Sequence, residues 1–328
     1  MTAGAGLRIV DIDAEGVNIA FREDVVKGLA ETQKAIPACW FYDLRGSQLF
    51  EEITRLPEYY PTRTETALLR DNGPEIAKMA GPDRTVVEFG SGSSVKTPLL
   101  LSAIAPRAYV PIDISGEFLR QSSRDLAEKF PGLPVIPVEA DFMRKVDLPP
   151  RLIGGSLLGF FPGSTIGNFV PHTAIDLLRS MCNTLGRNAQ LLIGIDRIKQ
   201  VDRLLDAYDD AEGVTAAFNL NLLHRINREL GADIPVDQFR HVARWNEGWS
   251  RIEMHLEAVK DVRFSLCGRS FSMRAGETIH TENSHKYSPR QAILLLHASG
   301  WSPLVRWTDD QDDFLLFLAE ATQFRSAP

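Results

Sequence analysis

The chain has 328 residues, of which 44% are hydrophobic and 24% charged, with a formal net charge of -7. That length buries a full core and points to two structural units, because single cores stop growing near ~250 to 300 residues. The acidic balance, with no basic stripe, excludes a polyanion as principal partner, since nucleic-acid affinity is carried by cationic side chains meeting phosphates.

In chain order, the first 25 residues read as a loose lead-in, followed by a short amphipathic helix over 25–34 that Pro37 ends. The segment from Cys39 to Ile53 is unusually aromatic. Leu56-Pro57-Glu58-Tyr59-Tyr60-Pro61 then carries two prolines that forbid a continuous helix, and a helical run follows from Thr64 to about Met79. Proline-bracketed aromatics are ordinarily core, and Phe41 and Tyr60 are expected there.

Val86-Val87-Glu88-Phe89-Gly90-Ser91-Gly92-Ser93-Ser94-Val95-Lys96-Thr97 is an apolar strand, a tight glycine loop and a helix start. Glycines let the loop turn sharply and let backbone N–H groups approach a ligand that a Cβ would hold off. A dinucleotide loop would carry a third glycine where this chain has Val95. Tyr109-Val110-Pro111-Ile112-Asp113 is a second strand ending in an acid, about 20 residues on, where a ribose-binding carboxylate is expected. A third strand over 135–138 leads to Glu139-Ala140-Asp141-Phe142. Three acidic strand ends, at Glu88, Asp113 and Asp141, mark a nucleotide-type site.

Leu157 to Phe161 is a fourth strand breaking into Pro162-Gly163-Ser164-Thr165-Ile166-Gly167-Asn168, a turn that faces the ligand crevice of a doubly wound sheet. A helix over 174–185 and a fifth strand over 190–196 complete a parallel α/β alternation. From 197 the pattern changes. A mostly helical stretch over 203–229 precedes segments 239–256, 262–266 and 269–273, which alternate like an antiparallel meander, and Ile279 to Pro289 closes that unit. A helix over 290–299 and a final hairpin, 301–307 with 314–319, return to the nucleotide unit.

Cys39, Cys182 and Cys267 form neither a disulfide framework nor a metal spacing, so a reduced, cytoplasmic setting is expected. Met1 to Phe21 has no signal pattern and no run of about 18 apolar residues occurs, which removes membrane and secreted readings. The seven histidines show no metal-ligand spacing, and no metal is expected.

The glycine loop resembles the E-x-G-x-G loop of class I S-adenosylmethionine-dependent methyltransferases. Trp40-Phe41-Tyr42-Asp43, Leu56 to Glu65, Gly163 to Asn168, Ala207-Tyr208-Asp209-Asp210 and Thr281-Glu282-Asn283-Ser284 together resemble the histidine-specific Nα-methyltransferases of ergothioneine biosynthesis, over nearly the whole chain. The resemblance implies an α/β fold: a Rossmann-like doubly wound sheet binding S-adenosylmethionine over 63–199 and 288–328, and a smaller α+β substrate-binding domain over 1–62 and 200–287. It implies transfer of methyl groups from S-adenosylmethionine to the α-amine of L-histidine, three times, giving hercynine and S-adenosylhomocysteine. A monomer is expected.

Carried over residue by residue, the resemblance places Glu88, Gly90, Gly92, Lys96, Asp113, Asp141 and Phe142 around the donor. Asn168 and Tyr208 would hold the substrate carboxylate, and Tyr59, Glu282 and Ser284 the imidazole. Gly163, Tyr42 and Phe50 would line the amine end, and Met254 would border the ring pocket. Tyr42, Gly163 and Asn168 are the expected catalytic positions. Glu282 and Ser284, two apart on an extended segment, point to one side. The same chemistry on a different amino acid or amine is the alternative. A base methyltransferase would need a Pro-Pro-aromatic core that Asn168-Phe169-Val170-Pro171 lacks, and a binding module without catalysis would not need the acceptor-side residues.

Overall fold

A computed structural model describes residues 13, 16–92, 96–114, 116–149, 152 and 155–322. Val95, at the third-glycine position, lies outside them together with Ser93 and Ser94. In chain order the elements are α1 (Ile19–Ala30), β1 (Lys34–Ala35), α2 (Leu44–Ile53), α3 (Tyr60–Asp71), α4 (Gly73–Ala80), β2 (Thr85–Phe89), α5 (Thr97–Ile104), β3 (Ala108–Asp113), α6 (Gly116–Lys129), β4 (Val138–Glu139), β5 (Leu157–Phe161), α7 (Pro171–Leu185) and β6 (Gln190–Asp196). They continue with α8 (Val201–Asp206), α9 (Val214–Leu230), β7 (Phe239–Asn246), β8 (Arg251–Ala258), β9 (Val262–Leu266), β10 (Arg269–Met273), β11 (Thr278–His285), α10 (Pro289–Ala298), β12 (Trp301–Thr308) and β13 (Phe314–Ala321).

The chain divides into two compact units, Met1–Tyr60 with Lys199–Ser284, and Pro61–Ile198 with His285–Pro328. The second unit is built on a seven-stranded sheet in the order β12-β13-β6-β5-β2-β3-β4. Strand β2 pairs in parallel with both β3 and β5, while β13 runs antiparallel to β6 and to β12. Every residue of β2, β5 and β6 is buried, as expected where helices cover both faces of a parallel sheet. Alternate side chains sort to opposite sides: Val87, Phe89, Val110 and Ile112 enter one core cluster, Val86, Tyr109, Leu158 and Phe160 the other. Strand order reverses around β2, so the loop after it opens at the crevice where such sheets take ligands.

The first unit packs α1, α2 and α9 with a four-stranded sheet in the order β1-β11-β8-β7 around one apolar cluster. A separate two-stranded sheet joins β9 and β10. Phe41 and Tyr60 are 1% and 2% exposed and belong to that core, as expected.

Four expectations are corrected. Helix α1 starts at Ile19 and stops at Ala30, because Lys34 and Ala35 pair with Ile279 and His280 as a short parallel strand. The helical run before β2 starts at Tyr60, where Pro61 sits in the first turn and its missing N–H costs nothing; it breaks at Asn72, where Pro74 cannot donate to a continuing helix. The third strand of the nucleotide unit shrinks to Val138–Glu139 plus one bridge from Val135 to Tyr109, since Pro134 and Pro137 carry no ladder donors. Asp141 therefore lies beyond the strand, in a turn. Finally, β9 and β10 leave the expected meander, and β11 lies beside β8 instead, with β1 at its other edge.

Candidate active site

The glycine loop is shaped by bonds from its backbone N–H groups to the neighbouring strand. Gly90 adopts φ +71°, and a Cβ there would meet the Phe142 ring at 3.4 Å. The Gly90 N–H donates to the Ile112 carbonyl at 2.8 Å and the Gly92 N–H to Asp113 Oδ2 at 3.3 Å. The loop after β2 is thus stitched to the end of β3, with the half-buried Asp113 carboxylate beside it. Phe142 is held edge-on between Phe89 and Phe161, with ring centroids 6.4 and 6.1 Å away. A left-handed glycine turn, a carboxylate and a fixed aromatic ring suit a nucleoside ligand: backbone for the tail, acid for ribose hydroxyls, ring for the base.

Two expected donor residues have other duties. Glu88 is fully buried, and its carboxylate accepts from Tyr109 OH at 2.5 Å and from Thr97 Oγ1 at 2.7 and 3.0 Å. Burial pushes its carboxyl up to about 7, and the group braces the first residue of α5 instead of opening to a ligand. Asp141 is exposed, and its Oδ1 accepts from the Met143 N–H at 2.9 Å, fixing the turn that presents Phe142.

Lys96 is buried and its Nζ lies 2.5 Å from Glu65 Oε2. The same oxygen accepts the Gly163 N–H at 2.7 Å. Gly163, at φ +81°, opens the turn after β5, and Ser164 follows at φ +54°. Thr165–Asn168 then forms a short 3-10 turn that ends on half-buried Asn168. His285 Nδ1 bonds the Gly167 carbonyl at 2.9 Å and so holds that turn from the end of β11.

In the other unit the aromatic residues form a connected group. Tyr42 lies edge-on to Phe50, centroids 5.7 Å apart at 77°, and Phe50 edge-on to Tyr59 at 6.3 Å and 78°. Tyr59 meets Tyr208 at 6.2 Å. Phe218 of α9 contacts Tyr42 at 5.9 Å and Phe50 at 6.0 Å, and was not among the expected residues. Its only sequence signal is an apolar position on an amphipathic helix, which cannot be told from core. Tyr42 is 39% exposed, so the group opens to solvent at that end. Asp43, beside it, caps α2 through the Gly46 N–H and accepts from Asn221 and Arg228.

The polar end of this group is held by a buried network. Tyr208 OH and Ser284 Oγ are 2.7 Å apart, one donating to the other. The residues expected to hold carboxylate and imidazole are therefore joined directly. His241 Nε2 bonds the Tyr208 carbonyl at 2.8 Å, and Asn219 Nδ2 bonds His241 Nδ1 at 2.8 Å. Thr281 Oγ1 donates to Asn219 Oδ1 at 2.8 Å and to the Met254 carbonyl at 3.0 Å. Met254 is 1% exposed and packs in the core, its contribution to the network being its backbone oxygen. Glu282 is half-buried on β11, and its carbonyl accepts from His280 Nε2 at 3.0 Å.

Next to that strand, Glu253, His255 and His280 bring ligand-type atoms within 4.8 Å of one another, a grouping that linear spacing did not reveal. The carboxylate of Glu253 already takes Arg251, Asn246 and His255. Burial opposes its ionisation, and those bonds outweigh burial and hold it down to about 2. The rings of His255 and His280 stack at 4.7 Å and 18°. Burial, then the neighbouring His280, depresses His255 to about 4, so this is a pair of neutral imidazoles beside an ion pair.

Residues 21–321 match the family model described as histidine-specific methyltransferase, SAM-dependent. A histidine N-alpha-methyltransferase of Mycolicibacterium smegmatis is 43% identical over 312 residues, covering 93% of this chain and 96% of the relative. One of Mycobacterium tuberculosis is 42% identical over 308 residues, covering 92% and 95%. Ergothioneine biosynthesis protein 1 of Neurospora crassa is 28% identical over 327 residues, covering 95% of this chain and 36% of that longer protein.

Proposed function

This chain belongs to the histidine-specific, S-adenosylmethionine-dependent methyltransferases, and we infer from that membership that it methylates the α-amine of L-histidine three times in succession. The product is the trimethylated betaine hercynine, in a route to ergothioneine. The observation that carries the threefold reaction is the open-ended aromatic group of Tyr42, Phe50, Phe218 and Tyr59.

S-adenosylmethionine supplies an electrophilic methyl on a sulfonium. The protein's share of the work is alignment, since in-line displacement needs amine lone pair, methyl and sulfur in a row more than it needs covalent help. The amine must be neutral to attack, and a desolvated setting favours that form. A proton leaves to water before each transfer, so three are released for three methyl groups. After the third no N–H remains, so hydrogen-bond acceptors lose their hold on the amine. Aromatic faces keep theirs, at about 0.5 to 2 kcal/mol each for a desolvated cation.

In this reading Gly90, Gly92, Lys96, Asp113, Asp141 and Phe142 form the donor side, with Glu88 as the brace beneath it. In one unit Tyr42 and Phe50 serve the amine and Tyr208 the carboxylate; in the other, Gly163 and Asn168 are the residues the resemblance assigns to the amine and the carboxylate. Tyr59, Glu282 and Ser284 serve the imidazole. A half-buried carboxylate at 282 supports histidine over apolar side chains, because an imidazole N–H offers it a donor that an apolar ring does not. No described helix is long and apolar enough to cross a membrane, and Cys39, Cys182 and Cys267 are free thiols. Both fit a cytoplasmic enzyme, which we take to be a monomer.

The test is a quenched time course with S-adenosylmethionine and L-histidine, read by mass. Mono-, di- and trimethylhistidine should appear in that order and converge on the last. Accumulation of the monomethyl product alone would overturn the threefold reaction.

A further inference from the structure

Glu65 is the sixth residue of α3, a helix that carries no expected site residue, yet its side chain is 0% exposed. A carboxylate is costly to bury unless it is paired and hydrogen-bonded. Its Oε2 takes both the Lys96 ammonium, at 2.5 Å, and the Gly163 N–H, at 2.7 Å. These partners come from different loops. Lys96 ends the glycine loop after β2, and Gly163 opens the turn after β5 that leads to Asn168. The strands are direct neighbours, from Thr85 opposite Leu157 to Glu88 opposite Phe160, so one oxygen spans the two loops at the strands' carboxyl ends.

The fold also makes room for this carboxylate. On β6, a Cβ at Gly194 would lie 2.0 Å from Glu65 Oε1 and 2.8 Å from its carboxyl carbon. A buried strand position that would otherwise favour a β-branched residue is glycine, and the space goes to Glu65. Among the described residues Oε1 has no hydrogen-bond partner. The side chain is thus held by Oε2 alone, through one charge-assisted bond and one amide bond, while Gly194 sets its position from behind.

We propose that Glu65 is a positioning residue of the donor site: its carboxylate fixes the Lys96 ammonium and the Gly163 amide together, so that the two loops keep one register whether or not a ligand is bound. The proposal rests on the reading of the glycine loop as the methyl-donor site. Lys96 keeps two further N–H donors for a ligand carboxylate, and their direction is set by the bond to Glu65. Removing the charge at 65 would leave a buried ammonium uncompensated and a glycine turn without its anchor.

Calorimetric titration of S-adenosylhomocysteine into the parent, E65Q and G194A tests this without needing turnover, with melting curves to show that each variant is folded. Both variants should bind at least about tenfold more weakly, G194A although it keeps every charge. In steady-state assays KM for S-adenosylmethionine should rise more than KM for histidine. The double variant E65Q/K96M, which removes both buried charges, should regain stability and still bind weakly. Folded E65Q and G194A that bind within twofold of the parent would overturn the proposal, as would a folded double variant with parental affinity. A parent that binds S-adenosylhomocysteine but leaves histidine unmethylated would instead sink the proposed function and leave Glu65 tested on its own.

Discussion

In the parallel-sheet unit, Gly90 and Gly92 follow β2 and donate to the Ile112 carbonyl and the Asp113 carboxylate at the end of β3, within a few residues of where each strand ends. In the other unit, Tyr42, Phe50 and Tyr59 come from the N-terminal segment, Tyr208 and Phe218 from the helical stretch and Ser284 from β11, and ring contacts and a hydroxyl pair bring them together. The first arrangement is dictated by topology, because a crevice forms wherever strand order reverses. The second depends on long-range packing of a core that is otherwise ordinary. On the proposed function, regular architecture serves the methyl donor and irregular packing the acceptor.

That contrast predicts how each side breaks. The largest effect belongs to Glu282: E282A should lower kcat/KM for histidine by about 10² to 10⁴, in line with sites built to hydrogen-bond a substrate group, while S-adenosylhomocysteine titration stays at the parental value. Equal loss of donor affinity would show that the two sides are not separable in this way. On the donor side, G90V should weaken S-adenosylhomocysteine by about tenfold or more, since the backbone there is left-handed and Phe142 fills the space beyond, and histidine analogues should not rescue it. Y208F removes the hydroxyl that meets Ser284; a loss of about 1 kcal/mol, or some fivefold in KM for histidine, is expected from one neutral hydrogen bond. Smallest is M254L, a volume-conserving core change costing less than about 1.5 kcal/mol in denaturant unfolding, with kinetics unchanged.

The units also differ in how they hold protons. Glu88 is pushed up from 4.5 to about 7 by burial, so between those values the folded chain keeps a proton that the unfolded chain has released. Its contribution to stability is full below 4.5 and is lost as pH rises through about 7. His255 works the other way: burial holds it neutral down to about 4 against 6.5 when unfolded, so stability is lost as pH falls from 6.5 to 4. Burial lowers His241 and His280 as well. Amide exchange followed across pH should show protection of β2 and β3 weakening toward neutrality and that of β7 and β8 weakening toward acid. In E88Q the first trend should flatten and the second persist.

The same contrast explains what could be read before the fold was known. The strands of the nucleotide unit and its glycine loop were legible because apolar runs ending in acids, glycines and turns are local signals. Glu88 and Asp141 show the limit: the pattern marks a strand end but not whether the carboxylate faces a ligand or braces a helix. Tyr42 and Tyr59 look like core on physical grounds, and only the resemblance of long motifs singles them out, together with Tyr208. Phe218, His241 and Asn219 carry no local signal, since each is a plausible interior residue whose partners lie on other strands and helices. Glu65 was hidden for a different reason, as its role depends on Gly194 leaving space more than a hundred residues away.

The most direct test of the whole account offers the protein S-adenosylmethionine with an equimolar mixture of L-histidine, L-tryptophan, L-tyrosine and histamine and weighs every product. Histidine alone should gain methyl groups, ending with three on one nitrogen, and histamine should stay unchanged for want of a carboxylate. Methylated tryptophan or histamine, or saturable donor binding with no methylated amine at all, would contradict it.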